Sequence, residues 1–106
     1  MLFRSAYGMV LLADERIDEA EQAFVRAREL DPQLYDAWYF HGRACFQTGR
    51  FAHASRLFRR ASELHADYSA RFFAAQAEEA LGDREQSLST YESALDAVEQ
   101  IGRAHV

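Results

Sequence analysis

The chain holds no lysine, one cysteine, one proline and five glycines among its 106 residues, and each scarcity removes a class of protein. A lone Cys45 cannot close an internal disulfide, so the fold rests on packing, and a reducing, cytoplasmic setting is expected. With Pro32 as the single proline and glycine confined mostly to turns, little interrupts helix formation. A surplus of positive charge is also missing: the formal net charge is −5, which argues against non-specific affinity for nucleic acid or anionic lipid. No apolar run reaches the roughly 20 residues that span a bilayer. The run from Ala6 to Ala13 has the length of a signal-peptide core, yet one arginine precedes it and no small-residue cleavage site follows, so it reads as a helix of the domain. Neither a membrane nor a nucleic-acid partner is expected.

What is present is a repeat. At 49% hydrophobic the chain carries enough apolar surface for one domain. A shift of 34 residues places Gly8 on Gly42, Ala20 on Ala54, Phe24 on Phe58, Ala27 on Ala61 and Leu30 on Leu64. A shift of 33 places Gly49 on Gly82, Ala54 on Ser87, Phe58 on Tyr91 and Ala61 on Ala94, so a third copy follows with one residue lost before its central turn. Such a period marks a stack of helical hairpins. Charge divides unevenly along it: residues 1–34 hold four arginines and seven acids, residues 35–68 five and three, and residues 69–106 three and seven. All twelve basic residues are arginine, a usage read first as genome composition and second as suited to carboxylate recognition.

Within each copy, apolar residues recur at spacings of three and four, one stripe of an α-helix. Helices are expected over about 3–13, 17–30, 36–48, 51–64, 69–81 and 84–100, with 101–106 too short for another. Asp31-Pro32 stops the second, because proline disfavours helical geometry in the residue before it. Gly49 stands where a helix end needs left-handed backbone. The third helix presents two stripes, one of Trp38, His41, Gly42 and Cys45, the other of Tyr39, Arg43, Phe46 and Gln47, and two stripes mean two contacts. The fourth buries Phe51, Ala54, Phe58, Ala61 and Leu64 and turns Arg56, Arg59, Arg60 and Glu63 to solvent. Phe72 is aligned with Trp38. Glycine inside a helix costs about 1 kcal/mol relative to alanine, so Gly8 and Gly42 imply close helix approach, with Gly42 expected to face Ala54.

Trp38, Gly42, Ala54, Phe58 and Ala61, with Gly8, Ala20, Phe24, Ala27 and Pro32 before them, resemble the tetratricopeptide-repeat (TPR) signature. The resemblance covers residues 1 to about 101 as three repeats, 1–34, 35–68 and 69–101. It implies an all-α fold, a right-handed α-solenoid of three helix-turn-helix hairpins and six helices, and a single domain over 1–106. Arg4 stands where the family has a large apolar residue, His41 and Cys45 replace the common Leu and Tyr, and Gln76 or Ala75 replaces the glycine of the third copy. No further helix covers the last repeat, so three outcomes stay open for its outer face: it is left wet, it is covered by a second copy in self-association through the uncovered C-terminal helix, or it is covered by a part of a longer protein.

The resemblance also implies a concave wall built from the first helix of each repeat, carrying Ser5, Met9 and Leu12, then Tyr39, Arg43, Phe46 and Gln47, then Phe73 and Ala77. Met9, Leu12, Tyr39, Arg43, Phe46, Gln47 and Phe73 are the candidate peptide-binding residues. A groove of apolar anchors around one arginine suits a short peptide with an acidic group. Two alternatives stay open: Phe46 and Phe73 pack between repeats, and Arg43 pairs with Glu78 or Glu79. The basic clamp by which some family members hold the acidic tails of heat-shock chaperones falls on Ser5, Met9, Phe40, Ala70 and Ala74, none basic, so that ligand is disfavoured. His41 and Cys45, four apart with His65 farther on, offer two metal ligands at packing positions but not a tetrahedral set, and no metal or cofactor is expected. No nucleophile, base and orienting acid are ordered for hydrolysis, so no enzymatic activity is expected. Glu78–Glu79 reads as a solvated face. The function expected is that of a non-catalytic protein-interaction module, similar to TPR segments of bacterial signalling proteins and scaffolds. The alternative is a dedicated secretion chaperone, since YDAWYFHGRACFQTGRF and YSARFFAAQAEEALG resemble class II type III secretion chaperones.

Overall fold

Six helices follow one another in the computed structural model: α1 Leu2–Ala13, α2 Ile17–Leu30, α3 Tyr35–Gln47, α4 Phe51–Leu64, α5 Tyr68–Ala80 and α6 Arg84–Ala104. The structure describes residues 2–65 and 68–104, without the side chains of residues 2–5, 101 and 104; Arg4 and Ser5 of the sequence analysis therefore fall outside the described side chains. No strand occurs among the described residues, and none of their helices is long and apolar enough to cross a membrane. Consecutive helices pair as α1/α2, α3/α4 and α5/α6, while α3 lies against α1 and α2, and α5 against α4. Residues 101–104 do not stand apart but extend α6, which at 21 residues outruns the 14 of α2 and α4.

Each hairpin turns by the same hydrogen bonds. Arg50 N–H donates to Cys45 C=O at 2.9 Å and Gly49 N–H to Phe46 C=O at 3.1 Å, the pair that closes a helix when the residue after it is left-handed. Asp83 and Gly82 repeat this onto Glu78 and Glu79, and Arg16 and Glu15 onto Leu11 and Leu12. Gly49 and Gly82 have φ of 78° and 86°, as the position requires, but the first turn places Glu15 there at φ 62°. A side chain in that region costs about 1–2 kcal/mol.

The core consists of small residues around two large ones. Phe24 and Phe58 are fully buried, along with Ala20, Ala27, Ala54 and Ala61. Gly42 does not face Ala54 as expected; it faces the ring of Phe58, and a Cβ there would sit 2.9–3.1 Å from three ring carbons. Gly8 meets Phe24 in the same way at 2.7–3.0 Å. The missing methyl lets a ring lie flat against helix backbone, which explains why glycine occupies a helix interior. Not every member of the expected stripes is buried: Leu30 is 55% exposed and Ile17, Phe51 and Leu64 are half-buried, while Leu57 takes a buried place.

Burial also corrects the register of the third copy. In α3 the buried residues are Ala37, His41, Gly42, Ala44 and Cys45, and in α5 Ala70, Ala74, Ala75, Ala77 and Glu78. Every partner lies 33 positions on, so the shortening falls in the link between α4 and α5, and Arg71, not Phe72, stands where Trp38 stands. Phe72 is the counterpart of Tyr39, and Phe73 of Phe40. The rings agree: Tyr39–Phe58 and Phe72–Tyr91 are edge-on at 5.6 and 5.5 Å, and Phe40–Phe24 and Phe73–Phe58 are stacked at 6.3 and 5.4 Å, each with a 20° interplanar angle.

Polar groups tie the repeats across these interfaces. His41, 3% exposed, accepts at Nδ1 from the Arg28 guanidinium and donates from Nε2 to Glu21 at 3.2 Å, and Arg50 also holds Glu21. Between the second and third repeats, Glu78 is 3% exposed rather than solvated. Arg59 pairs with it, Thr90 donates to it at 2.8 Å and Ser55 at 3.4 Å. Arg59 is thus not a free surface cation, and neither is Arg60, which pairs with Glu63 at 3.0 Å and lies 5.6 Å over Trp38.

Three outcomes follow for thermal and denaturant unfolding. Gly42→Ala is expected to cost about 1–2 kcal/mol, the overpacking penalty less the helix preference of alanine. Glu15→Gly is expected to gain up to about 1 kcal/mol by relieving the left-handed strain. Burial, reinforced by the charge of Arg28, pushes His41 down to about 4. The unfolded chain therefore takes up a proton near pH 6.5 that the folded chain refuses, so stability is constant above that point and falls between pH 6.5 and 4, by at most about 1.4 kcal/mol per unit for this one group. In EDTA-containing buffer His41→Leu should flatten the slope over that interval.

Candidate functional site

The aromatic face shared by α3 and α5 is built from residues one helical turn apart. Tyr39, Arg43 and Phe46 recur at spacings of four and three, which aligns them on one side of α3. Phe73 from α5 meets all three: its ring centroid lies 6.0 Å from Tyr39 and 6.2 Å from Phe46, and the Arg43 guanidinium carbon stands 5.8 Å from it. The same carbon stands 5.8 Å from Phe40. Tyr35 stacks on Tyr39 at 5.4 Å and Phe51 closes on Phe46 at 5.1 Å. Tyr39, Arg43, Phe46 and Phe73 are all half-buried, so each both packs and presents surface.

Arg43 is the charged member of this face, and its surroundings decide between the alternatives left open by sequence. Glu78 is held by Arg59, and Glu79 accepts from Tyr91 Oη at 2.9 Å. Neither pairs with Arg43, which makes no salt bridge among the described residues. Its guanidinium instead lies between two ring faces, an arrangement that stabilises a cation electrostatically while leaving its N–H donors for other partners.

The remaining candidates are placed differently. Met9 is half-buried on α1 and packs against the core that Phe24 centres. Leu12 is 8% exposed and belongs to that same core, so it offers little surface to a ligand. Gln47 is exposed and lines a cleft of 560 Å³ with Leu12, Ala13, Glu15, Ile17 and Thr48. Phe40 belongs with the cluster, although the sequence placed it only at a clamp position and not among the peptide-binding candidates. Extending the 33-residue shift through the whole third copy would have found it, because Phe73 and Phe40 then coincide.

Two other features border this face. Between α5 and α6, Tyr68, Phe72, Tyr91, Ala94, Leu95 and Val98 line an apolar cleft of 450 Å³. Phe72 and Tyr91 occupy there the places that Tyr39 and Phe58 hold around Phe73 one repeat earlier. His65, farther along the sequence from His41 and Cys45, meets Tyr35 edge-on at 5.4 Å.

Comparison with known proteins agrees with this architecture. Residues 11–79 match the profile of the tetratricopeptide repeat family. Among solved structures, MamA of MSR-1 superimposes with a TM-score of 0.84 and 22% identity, over 92% of this chain and 56% of that one. A second crystal structure of MamA gives 0.88 and 21%, over 91% and 57%. The first TPR of Spaghetti (RPAP3), bound to the HSP90 peptide SRMEEVD, gives 0.85 and 23%, over 91% and 77%. At these identities the likeness is one of fold, and the chain spans little more than half the length of the MamA chains. No curated protein matches the sequence. The repeat period, the paired helices and the profile match over more than half of its length together establish that the chain belongs to the tetratricopeptide repeat family.

Proposed function

We propose that the chain is a non-catalytic interaction module that holds a peptide segment against the α3–α5 face, with Arg43 as the recognition residue. The observation that carries this reading is the half-buried residue Arg43, whose guanidinium carbon lies 5.8 Å over the rings of both Phe40 and Phe73 without a carboxylate partner among the described residues. A ligand carboxylate would supply the partner that Arg43 lacks, through a charge-assisted pair of hydrogen bonds. Tyr39, Phe46 and Phe73 provide anchor surface for apolar side chains beside it, with Met9 and Gln47 at the edges toward the first repeat. Rings contribute much contact area at small entropic cost, which suits a ligand that must be ordered on binding.

A neighbour of similar fold binds a peptide that ends Glu-Glu-Val-Asp. In this chain the positions of the family's basic clamp, brought into the 33-residue register, are Met9, Phe40, Ser69 and Phe73, with Ser5 outside the described side chains. None carries a positive charge or an amide. The ligand read here is therefore one with a single acidic group between apolar anchors, and the HSP90-type tail is disfavoured.

Peptides selected from a random displayed library on the wild-type chain test this. They should be enriched in one Asp or Glu flanked by large apolar residues. Arg43→Ala should weaken the selected peptides at least tenfold, the worth of a hydrogen-bonded charge, and replacing their acid by its amide should do the same. Undiminished binding by an Arg43→Ala, Phe46→Ala double variant that keeps its helicity would refute the reading.

A further inference from the structure

Outside the aromatic face, three side chains that bond metals converge between α3 and α4. His41 and Cys45 stand four residues apart on one side of α3 and are buried, and His53 reaches them from α4, its ring centroid 5.5 Å from that of His41. One ring nitrogen from each histidine and the Cys45 Sγ all lie within 4.8 Å of one another. We propose that His41, Cys45 and His53 form a three-coordinate site for a soft monovalent cation of the copper(I) type.

The distances suit coordination. Bonds of about 2.0–2.3 Å to nitrogen and sulfur place three ligand atoms about 3.6 Å apart around a central ion, so the three side chains need close by little more than 1 Å. The two ligands on α3 are fixed by their helix, and His53, the half-buried one, supplies the movement. Glu21 accepts from His41 Nε2 and orients the ring, the part a carboxylate plays behind many metal-bound histidines. The remaining lone pair of His41 is taken by an Arg28 N–H. A metal ion must displace that guanidinium, which keeps a second station over the ring of Trp38 at 4.6 Å. One cation thereby replaces another.

Charge selects the ion. Binding turns the Cys45 thiol into a metal-bound thiolate and releases its proton to solvent, so a monovalent ion, one thiolate and two neutral imidazoles form a neutral centre. Zinc would leave a net positive charge in a site that has Arg50 on Glu21 and Arg56 on His53, with the displaced Arg28 still nearby over Trp38, against the carboxylate of Glu21. A thiolate with imidazoles is also a ligand set that favours soft d10 ions.

The test is an anaerobic titration of the 106-residue chain against copper(I) bicinchoninate, with X-ray absorption on the product. The expected result is withdrawal of one copper(I) per chain and a first shell of one sulfur and two nitrogens. His53→Asn, at the half-buried ligand, should keep the helical circular dichroism of the wild type and lower the affinity at least tenfold, although Cys45 is still present. Failure to withdraw copper would overturn the proposal. So would wild-type affinity in His53→Asn, which would mark binding by the thiol alone, or displacement of bound copper(I) by equimolar zinc.

Discussion

An aromatic ring lying flat on helix backbone is the contact from which the rest of this structure follows. Phe24 against Gly8 and Phe58 against Gly42 set how close the two helices of a hairpin come. That closeness leaves the alanines around each ring without exposed surface and makes the rings platforms for the next repeat, since Phe40 stacks on Phe24 and Phe73 on Phe58. One contact thus governs both packing within a hairpin and stacking between hairpins. In the third repeat Ala75 stands in place of the glycine, and Tyr91, in place of the phenylalanine, is only half-buried with its hydroxyl on Glu79.

The fold was legible because small and aromatic residues recur at fixed positions and proline and glycine mark the breaks. The register of the third repeat was not, for a local reason. Its α5 has no glycine to anchor the alignment, and two adjacent phenylalanines compete for the place of one aromatic. The burial pattern along α5, together with the ring contacts of Phe72 with Tyr91 and of Phe73 with Phe58, separates the two. Of the aromatic face, Tyr39, Arg43 and Phe46 could be read from helical spacing alone, and Leu12 could not be excluded because the same spacing serves core and groove. The surroundings of Glu78 were invisible to any local reading: its partners lie 19 and 12 residues away on α4 and α6, and an adjacent pair of acids on a helix has the appearance of a wet surface.

Arginine takes three distinct roles around the middle repeat, although its residues are alike in composition. Arg50 and Arg59 satisfy half-buried or buried carboxylates, Arg28 and Arg60 flank Trp38, and Arg43 sits among rings without an acid. The local positive charge of residues 35–68 is therefore mostly consumed within the stack. What it leaves without an acid among the described residues is the exposed Arg56, beside His53, and Arg43 on the face where α3 and α5 meet.

The polar ties also differ from one interface to the next. Glu21 with His41 joins the first repeat to the second, and Arg59 with Glu78 joins the second to the third. Counting by the repeat, the counterpart of Arg59 in the first hairpin is Val25, and that of His41 in the third is Ala74. If the first hairpin were spliced directly to the third, Glu78 would be enclosed opposite a hydrocarbon side chain, at a cost of several kcal/mol for a buried charge without its partner. The hairpins are alike in shape but not exchangeable in sequence, so duplication or shuffling of single units within this gene would be punished at the junction, and their order is itself inherited information.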